Sequence, residues 1–315
     1  RYYGNRRRPL MDAMIGRIGT WLPHATRVAP VLNYAMANPL VRTAGACFGL
    51  ARSAKFPRIA ARSFRAGETG KRLLAAEPHP ANASVLLWVD SFNNGFTPKV
   101  LEAGVRVLET LGFSVKLMQR HICCGRPYYD VGLIDQAKAN LAAILDQLAP
   151  VLQAQWPVIV LEPSCLSVFR DEMPGLFPTD ARAQQLQGSI MTLSEFIRSR
   201  GLSLPAIDED VRIHGHCHQK SCGGLGAEQG VLEKLGGKGQ VIDAGCCGVA
   251  GAYAYHSKTA PIAQVIGEQE FKPHLDRIPA DTPVVADGFS CRGQIRTVSG
   301  REPLHLAEYL ARILG

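Results

Sequence analysis

A Cys-Cys-Gly tripeptide occurs twice in this sequence, at residues 123–125 and 246–248. The chain has only nine cysteines in 315 residues, so chance recurrence of the tripeptide is remote. Cysteine thiolates are soft ligands that hold iron–sulfur clusters and Zn(II). The repeated tripeptide therefore predicts an internal duplication in which each copy carries soft-metal ligands.

Other cysteines follow the same repeat. Ser164-Cys165 corresponds to Ser290-Cys291 at nearly the same spacing, and Cys217 of the second copy corresponds to Asp90 of the first. The candidate metal ligands are therefore Cys217, Cys246, Cys247 and Cys291 in the second copy, and Cys123, Cys124 and Cys165 in the first.

The second copy has a complete set of four thiolates, which predicts one [4Fe–4S] cluster there. In the first copy Asp90 takes the fourth position, either as an iron ligand or in a polar role without a metal. A single cluster shared between two facing copies is a further alternative. Without a cluster, the cysteines would be buried free thiols, a strained disulfide between neighbours, or ligands of a structural zinc ion.

Three histidines lie close to Cys217 in the sequence: His214, His216 and His218. We expect them to make local polar contacts, including hydrogen bonds to sulfur, with metal ligation or proton relay as the alternative. The same expectation applies to His121, which precedes the first cysteine pair. Outside the repeat, Cys47 is expected to pack in the interior, and Cys222 is a spare ligand candidate.

The elements that must position these cysteines alternate between strands and helices. Apolar runs predict strands at residues 84–89, 114–118, 157–161, 211–214, 240–243 and 283–286. Amphipathic patterns predict helices between them at residues 98–111, 133–152, 227–235 and 260–271. Each copy is thus a βαβαβ unit, which predicts an α/β fold with parallel sheets. All seven ligand candidates follow the carboxyl ends of strands, where ligands bind in such sheets.

Residues 1–75 carry a helical pattern punctuated by prolines, and residues 76–83 are predicted to be a linker. The predicted organisation is a helical collar with its linker at 1–80, a first repeat at 81–205 and a second repeat at 206–315. The collar would pack on a neighbouring domain; the alternative is a basic amphipathic surface that lies on a membrane.

Composition excludes several classes of protein. The chain is 46% hydrophobic and 20% charged, which is typical of a folded soluble protein. Its net charge of +8 comes largely from the first 65 residues, whereas a nucleic-acid protein would spread basic and aromatic residues over a domain face. No apolar run is long enough for a transmembrane helix, and the clustered cysteines indicate reduced thiols in the cytoplasm. The glycine spacing at 245–251 does not fit a dinucleotide site.

In combination, these motifs resemble the cysteine-rich CCG domain. That domain occurs in heterodisulfide reductase, in the iron–sulfur subunits of glycolate and lactate oxidases, and at the carboxyl end of fused FAD-linked D-2-hydroxyacid dehydrogenases of the D-2-hydroxyglutarate and D-lactate type. The resemblance is strongest to the fused type. It rests on residues 88–94 (Trp-Val-Asp-Ser-Phe-Asn-Asn), 123–128 (Cys-Cys-Gly-Arg-Pro-Tyr), 161–165 (Leu-Glu-Pro-Ser-Cys), 216–219 (His-Cys-His-Gln), 245–251 (Gly-Cys-Cys-Gly-Val-Ala-Gly) and 287–291 (Asp-Gly-Phe-Ser-Cys).

The resemblance implies that this chain is the iron–sulfur, electron-transferring end of a longer FAD-dependent oxidoreductase. An upstream flavin domain would oxidise the 2-hydroxyacid, and electrons would leave towards a quinone or another carrier. The chain itself would then not act on the substrate, and it would lie in the cytoplasm or peripherally at the inner membrane.

Two other functions fit the same motifs. One is thiol–disulfide chemistry at a cluster, as in heterodisulfide reductase, and the other is a structural zinc domain. The Cys-x-x-Cys of heterodisulfide reductase is absent, because Val168 and Gln294 stand where the second cysteine would be. The sequence does not identify the hydroxyacid, the number of clusters, the electron acceptor or the oligomeric state.

Overall fold

A computed structural model describes residues 8–76 and 83–315 as a helical segment followed by two α/β units. Both units have parallel sheets flanked by helices, which confirms the predicted fold class. Most of the predicted linker at 76–83 lies outside the described residues. The boundaries predicted at residues 80 and 205 stay predictions.

The amino-terminal segment is helical, as predicted, throughout most of its described part. Its helices are α1 (Leu10–Gly16), α2 (Ile18–Ala25), α3 (Ala29–Ala37), α4 (Pro39–Ala46) and α5 (Glu68–Ala75). Proline sets the start of α4, because Pro39 occupies the first turn, where its missing N–H costs nothing, and Asn38 caps the Leu40 amide. Helix α2 anchors the segment through Leu22, which is fully buried.

The first α/β unit has a four-stranded sheet in the order β2-β1-β3-β4. Its strands are β1 (Ser84–Trp88), β2 (Ser114–Lys116), β3 (Val158–Val160) and β4 (Ile190–Thr192). Its helices are α6 (Ser91–Gly95), α7 (Pro98–Thr110), α8 (Arg126–Asp130), α9 (Ile134–Gln153), α10 (Pro163–Ser167), α11 (Met173–Leu176), α12 (Ala181–Ser189) and α13 (Leu193–Ser199). Strand β4 was not predicted and extends the βαβαβ unit by one strand.

The second unit has a three-stranded parallel sheet in the order β6-β5-β7. Its strands are β5 (Val211–His214), β6 (Gly239–Val241) and β7 (Val284–Ala286). Its helices are α14 (Cys217–Cys222), α15 (Gly226–Lys234), α16 (Ala260–Ile266), α17 (Lys272–Asp276), α18 (Phe289–Ser299) and α19 (Leu306–Leu314). This is the order of elements that the sequence predicts for the second repeat.

The two units share a hydrophobic core. Helix α19, at the end of the second unit, packs against α7 of the first. Its buried residues Leu306, Tyr309 and Leu310 belong to the same apolar cluster as strand residues of both sheets. The motif-bearing ends of the two sheets are therefore held in a fixed relation by apolar packing. No helix among the described residues is both long enough and apolar enough to cross a membrane.

Candidate metal centre and its cavity

The Cys-Cys-Gly motif folds into the same turn in both units. In the first unit the amides of Gly125 and Arg126 donate to the sulfurs of Cys123 and Cys124, respectively. In the second unit the Gly248 amide lies 3.4 Å from the Cys246 sulfur, and the Val249 amide donates to Cys247. Amide donors stabilise thiolates, so the repeated turn presents each cysteine pair in a form suited to binding a metal.

The glycine of this motif is required by the backbone conformation. Gly125 and Gly248 have φ angles of 91° and 84°, in the left-handed region that glycine adopts without strain. A Cβ at Gly248 would also lie 2.8 Å from the Ala263 carbonyl oxygen. We predicted that these glycines allow close approach to a cluster; the structure shows that they allow the turn itself.

In the second unit all four candidate cysteines form one chain of thiol contacts. Hydrogen bonds link Cys217 to Cys246, Cys246 to Cys247, and Cys247 to Cys291. The three cysteine loops follow β5, β6 and β7, so the sheet brings together residues that are far apart in sequence. The predicted convergence at the carboxyl edge of this sheet is present in the structure.

The thiols of this chain differ in acidity. The pKa of Cys246 is lowered because Cys217 and Cys247 donate hydrogen bonds to its sulfur. The pKa of Cys291 is lowered by the hydrogen bond from Cys247, aided by the nearby His216 and His214. The pKa values of Cys217 and Cys247, which donate these bonds, are raised. The second unit therefore favours two thiolates among four thiols.

The histidines near Cys217 make the local contacts that we expected. The His216 Nδ1 atom accepts the His218 amide at 3.1 Å and lies 4.0 Å from the Cys217 sulfur. His214 forms a hydrogen bond with Cys291 and packs edge-on against Phe271. His216 thus caps α14 and adds positive potential beside the thiolates when it is protonated.

In the first unit the three cysteines are buried and their thiols are not acidic. The Cys165 and Cys124 sulfurs are 3.1 Å apart. The hydrogen bond with Cys124 lowers the pKa of Cys165, but burial and the carboxylates of Asp90 and Glu162 outweigh it and raise the value to about 11. The pKa values of Cys123 and Cys124 are also raised. This unit favours neutral thiols.

Asp90 has a structural role in this geometry. Its two carboxylate oxygens accept the Asn93 backbone and side-chain N–H groups, each at 2.8 Å, which caps α6. Burial, then the neighbouring Glu162, raise its pKa to about 7. The structure therefore shows the polar role that we considered for Asp90.

The two cysteine sites differ in access. Helix α2 lies directly over the first site, because a Cβ at Gly19 would come within 2.8 Å of the Cys123 sulfur. In the second site Cys217 and Cys246 are exposed. The second site is thus reachable from outside the fold, and the first is covered.

A large cavity leads to the second site. Its volume is about 1430 Å³, and it lies between the amino-terminal helices and the carboxyl ends of the sheets. Its thiol wall includes Cys217, Cys246 and Cys247, and its opposite wall includes Ile15, Trp21 and Met36. The sequence indicated the cysteines but not this cavity, because its walls come from distant segments that only the tertiary fold joins.

A buried carboxylate and a buried arginine, neither of them singled out in the sequence, connect the two units. Glu162 accepts the Ser164 hydroxyl at 2.7 Å and the Phe289 amide of α18 at 2.9 Å. Arg292 donates to the Asn93 side chain at 2.9 Å and to the Ala286 carbonyl at 3.0 Å. The one sequence signal was their position beside the Ser-Cys motifs, since Glu162 precedes Cys165 and Arg292 follows Cys291.

Arg126 forms a second connection between the sites. It donates to the Ser167 hydroxyl at 2.8 Å and pairs with Glu172. Ser167 also lies 3.3 Å from the His218 Nδ1 atom of the second unit. Arg126 lines the cavity, so a cationic side chain faces the space beside the second site.

Several outlying predictions are corrected. Cys47 does not pack in the interior; it is exposed at the end of α4. Cys222 is half-buried at the end of α14, and its sulfur contacts the Ser221 hydroxyl at 3.7 Å. The second cysteine of each pair was expected at a helix start. That holds for Cys124, but a long loop separates Cys247 from α16.

The donor set of the second unit fits a thiolate-ligated cluster. Four thiols contact one another, two of them have lowered pKa values, and amide N–H groups point at the sulfurs. Among residues 8–76 and 83–315, no three Cys, His, Asp or Glu side chains are spaced to hold a single metal ion. The fit therefore rests on the chemistry of the donors and not on a preformed coordination geometry.

Comparison with known proteins supports this assignment of the motifs. The family model of the CCG cysteine-rich domain matches residues 90–170, which contain the first cysteine site. Lactate utilization protein A of Bacillus velezensis is 30% identical over 250 residues, which cover 72% of this chain and 98% of that protein. The chain belongs to the CCG cysteine-rich family.

Two other relatives are dehydrogenases or parts of one. One subunit of the anaerobic glycerol-3-phosphate dehydrogenase of Escherichia coli K12 is 25% identical, over 92% of this chain and 74% of its own length. The D-2-hydroxyglutarate dehydrogenase of Pseudomonas putida KT2440 is 26% identical, over 98% of this chain but only 30% of that protein. The chain is thus similar to components of oxidoreductases, and it spans under a third of the latter enzyme.

Proposed function

We propose that this chain is an iron–sulfur electron-transfer module of an FAD-dependent dehydrogenase that oxidises a small hydroxy compound. The observation that carries the proposal is the chain of four thiol contacts in the second unit, with two thiols of lowered pKa at an accessible sheet edge. Cys217, Cys246, Cys247 and Cys291 would hold a [4Fe–4S] cluster. When bound, such a cluster accepts and releases one electron at a time.

The comparisons support a role that is common to several substrates. The relatives' names mention glycerol 3-phosphate, D-2-hydroxyglutarate and lactate, which share a secondary hydroxyl group. A segment shared by proteins with different substrates supplies a common step and not substrate recognition. Electron transfer away from a flavin is such a step, and the flavin would belong to a partner domain or to another protein of the same complex.

Within this proposal, the protein's own residues prepare the site. The amides of Gly248 and Val249 and the nearby His216 stabilise negative charge on sulfur. The fold exposes Cys217 and Cys246 to the cavity and covers the first unit's cysteines with α2. Electrons would therefore leave through the second site, towards a quinone or another carrier.

The decisive experiment is metal analysis of anaerobically purified protein, with EPR spectra before and after dithionite. About four irons and four sulfides per chain, with a signal that changes on reduction, is the expected result. About eight would assign a second cluster to Cys123, Cys124 and Cys165. Zinc without sulfide would contradict the proposal and indicate a structural site.

The cavity beside the thiols also favours a second candidate, thiol–disulfide chemistry at the cluster, since such a reaction needs an open space at the site. Reduction of a disulfide by the dithionite-reduced protein would support that candidate. Oxidation of the reduced protein by one-electron acceptors alone supports electron transfer.

A further inference from the structure

We infer that the cavity binds a lipophilic quinone-type electron carrier, with its polar head at the second cysteine site and its apolar tail among the amino-terminal helices. This inference rests on the proposed function and adds the binding site and the chemical class of the acceptor. Its evidence is the polarity of the cavity, the position of its mouth and its size.

The cavity is polar at one end and apolar at the other. Around the second site its lining includes Arg126, His216 and His218, whose N–H groups are suited to oxygen acceptors. Along the helices it includes Ile15, Ile18 and Trp21. A ligand that matches both ends has a polar head and an apolar body, because each part then exchanges water for a compatible environment.

The mouth of the cavity opens on an apolar surface. Four residues both line the cavity and are largely exposed: Leu10 (57%), Met14 (54%), Val41 (48%) and Phe48 (61%). Exposed apolar side chains that cluster at a cavity mouth mark a binding surface. A water-soluble ligand would gain nothing from this rim, whereas an apolar tail would stay covered as it entered.

The volume of about 1430 Å³ exceeds the range of roughly 300–1,000 Å³ that is usual for small-molecule sites. A head group alone would leave most of this space unfilled, so the occupant carries a long tail. Two successive one-electron transfers from the second site, with two protons from water, would convert a bound quinone to a quinol. The electrons come from the flavin partner of the proposed function.

The test uses the purified full chain and a decyl-substituted benzoquinone, with binding measured by calorimetry. Val41→Arg places a charge at the mouth and is expected to weaken binding at least tenfold. Val31→Arg is the matched control, because Val31 is 69% exposed on α3 and does not line the cavity. Both positions are exposed, so neither variant threatens folding.

A kinetic readout accompanies the binding measurement. Re-oxidation of the reduced protein by the quinone should slow at least tenfold in Val41→Arg, while re-oxidation by ferricyanide stays unchanged. Met36→Trp, which fills the apolar end, should show the same pattern.

Three results would overturn the inference: no binding by iron-loaded wild-type protein, equal binding by Val41→Arg and Val31→Arg, or equally tight binding of a decyl compound without the quinone head. The last would show a general lipid site. Failure of the proposed function is distinct from these, because it appears as protein without iron or sulfide.

Discussion

At the scale of single residues, the two cysteine sites differ although their motifs are the same. The Cys-Cys-Gly turn is repeated almost atom for atom, yet thiolates are favoured only in the second unit. The difference comes from the fourth position and its surroundings. The second unit offers Cys217 with His216 beside it, and the first offers Asp90 with Glu162 beside it.

Cys246 is the thiol that receives hydrogen bonds from both neighbours, so it should be the most sensitive ligand. Cys246→Ser is expected to lose most of the bound iron, because a serine hydroxyl does not ionise at neutral pH. Cys222→Ser is the matched control, since Cys222 also lies near the second site but contacts Ser221. Iron and sulfide analysis of both variants tests this expectation, and unchanged iron in Cys246→Ser would remove it from the ligand set.

The glycines of the motif allow a second test. Gly248→Ala adds a Cβ both in the left-handed region and 2.8 Å from the Ala263 carbonyl oxygen. Gly112 has a similar φ of 89° but no atom within 4 Å of its Cβ position. We expect Gly112→Ala to cost about 1–2 kcal/mol, the usual penalty of this conformation, and Gly248→Ala to cost more. Urea unfolding of both variants measures the difference, and equal losses would show that the Ala263 contact relaxes freely.

At the scale of the elements, hydrophobic pattern alone located the framework of the sheet. The six predicted strands agree with the structure within two residues at each end, because buried parallel strands appear as continuous apolar runs. Strand β4 escaped because it has three residues, Ile190–Thr192, directly between two helices. A run that short carries no periodicity.

The parts of the site that could not be predicted are those made by tertiary contact. Cys246 and Cys291 were recognisable from their motifs, but the link from Glu162 to the Phe289 amide joins residues 127 positions apart. Nothing local distinguishes a buried glutamate from an exposed one. The exposure of Cys47 was missed for the same reason, since burial depends on what packs against α4.

The contact between α13 and α15 contains a buried carboxyl group that should make stability depend on pH. Glu228 is 2% exposed, accepts the Ser194 hydroxyl and has a second oxygen without a hydrogen-bond partner. Burial raises its pKa from 4.5 to about 7, although the bond from Ser194 opposes the shift. The folded state therefore holds this proton more tightly than the unfolded state does.

The sign of the effect follows from linkage. Stability from this group is fully present below pH 4.5 and is lost as the pH rises through about 7, by about 3 kcal/mol at most. Glu228→Gln should flatten the profile in this window and stabilise the protein above pH 7. Glu233→Gln, on the exposed face of the same helix, should leave the profile unchanged. Urea unfolding between pH 5 and pH 8 tests this, and an unchanged slope in Glu228→Gln would contradict it.

At the scale of the whole molecule, the duplication has become a single cooperative structure. The end of the second unit completes the core of the first through α19, and Glu162 and Arg292 carry hydrogen bonds across the boundary. An electron-transfer role benefits from such rigidity, because a fixed frame holds the cysteine loops and the cavity in constant relation.

This shared core predicts that a defect in α19 is felt in both sheets. Leu310 is fully buried among side chains from both units, so Leu310→Ala should destabilise the protein by about 2–5 kcal/mol through lost burial and the cavity left behind. Hydrogen exchange should then show β1 and β5 losing protection together, since neither core is complete without α19. Leu40→Ala is the control, because Leu40 is 79% exposed and its truncation should change little. Loss of protection in β5 alone would mean that the two units unfold independently, and the cysteine sites would then be held by separate domains.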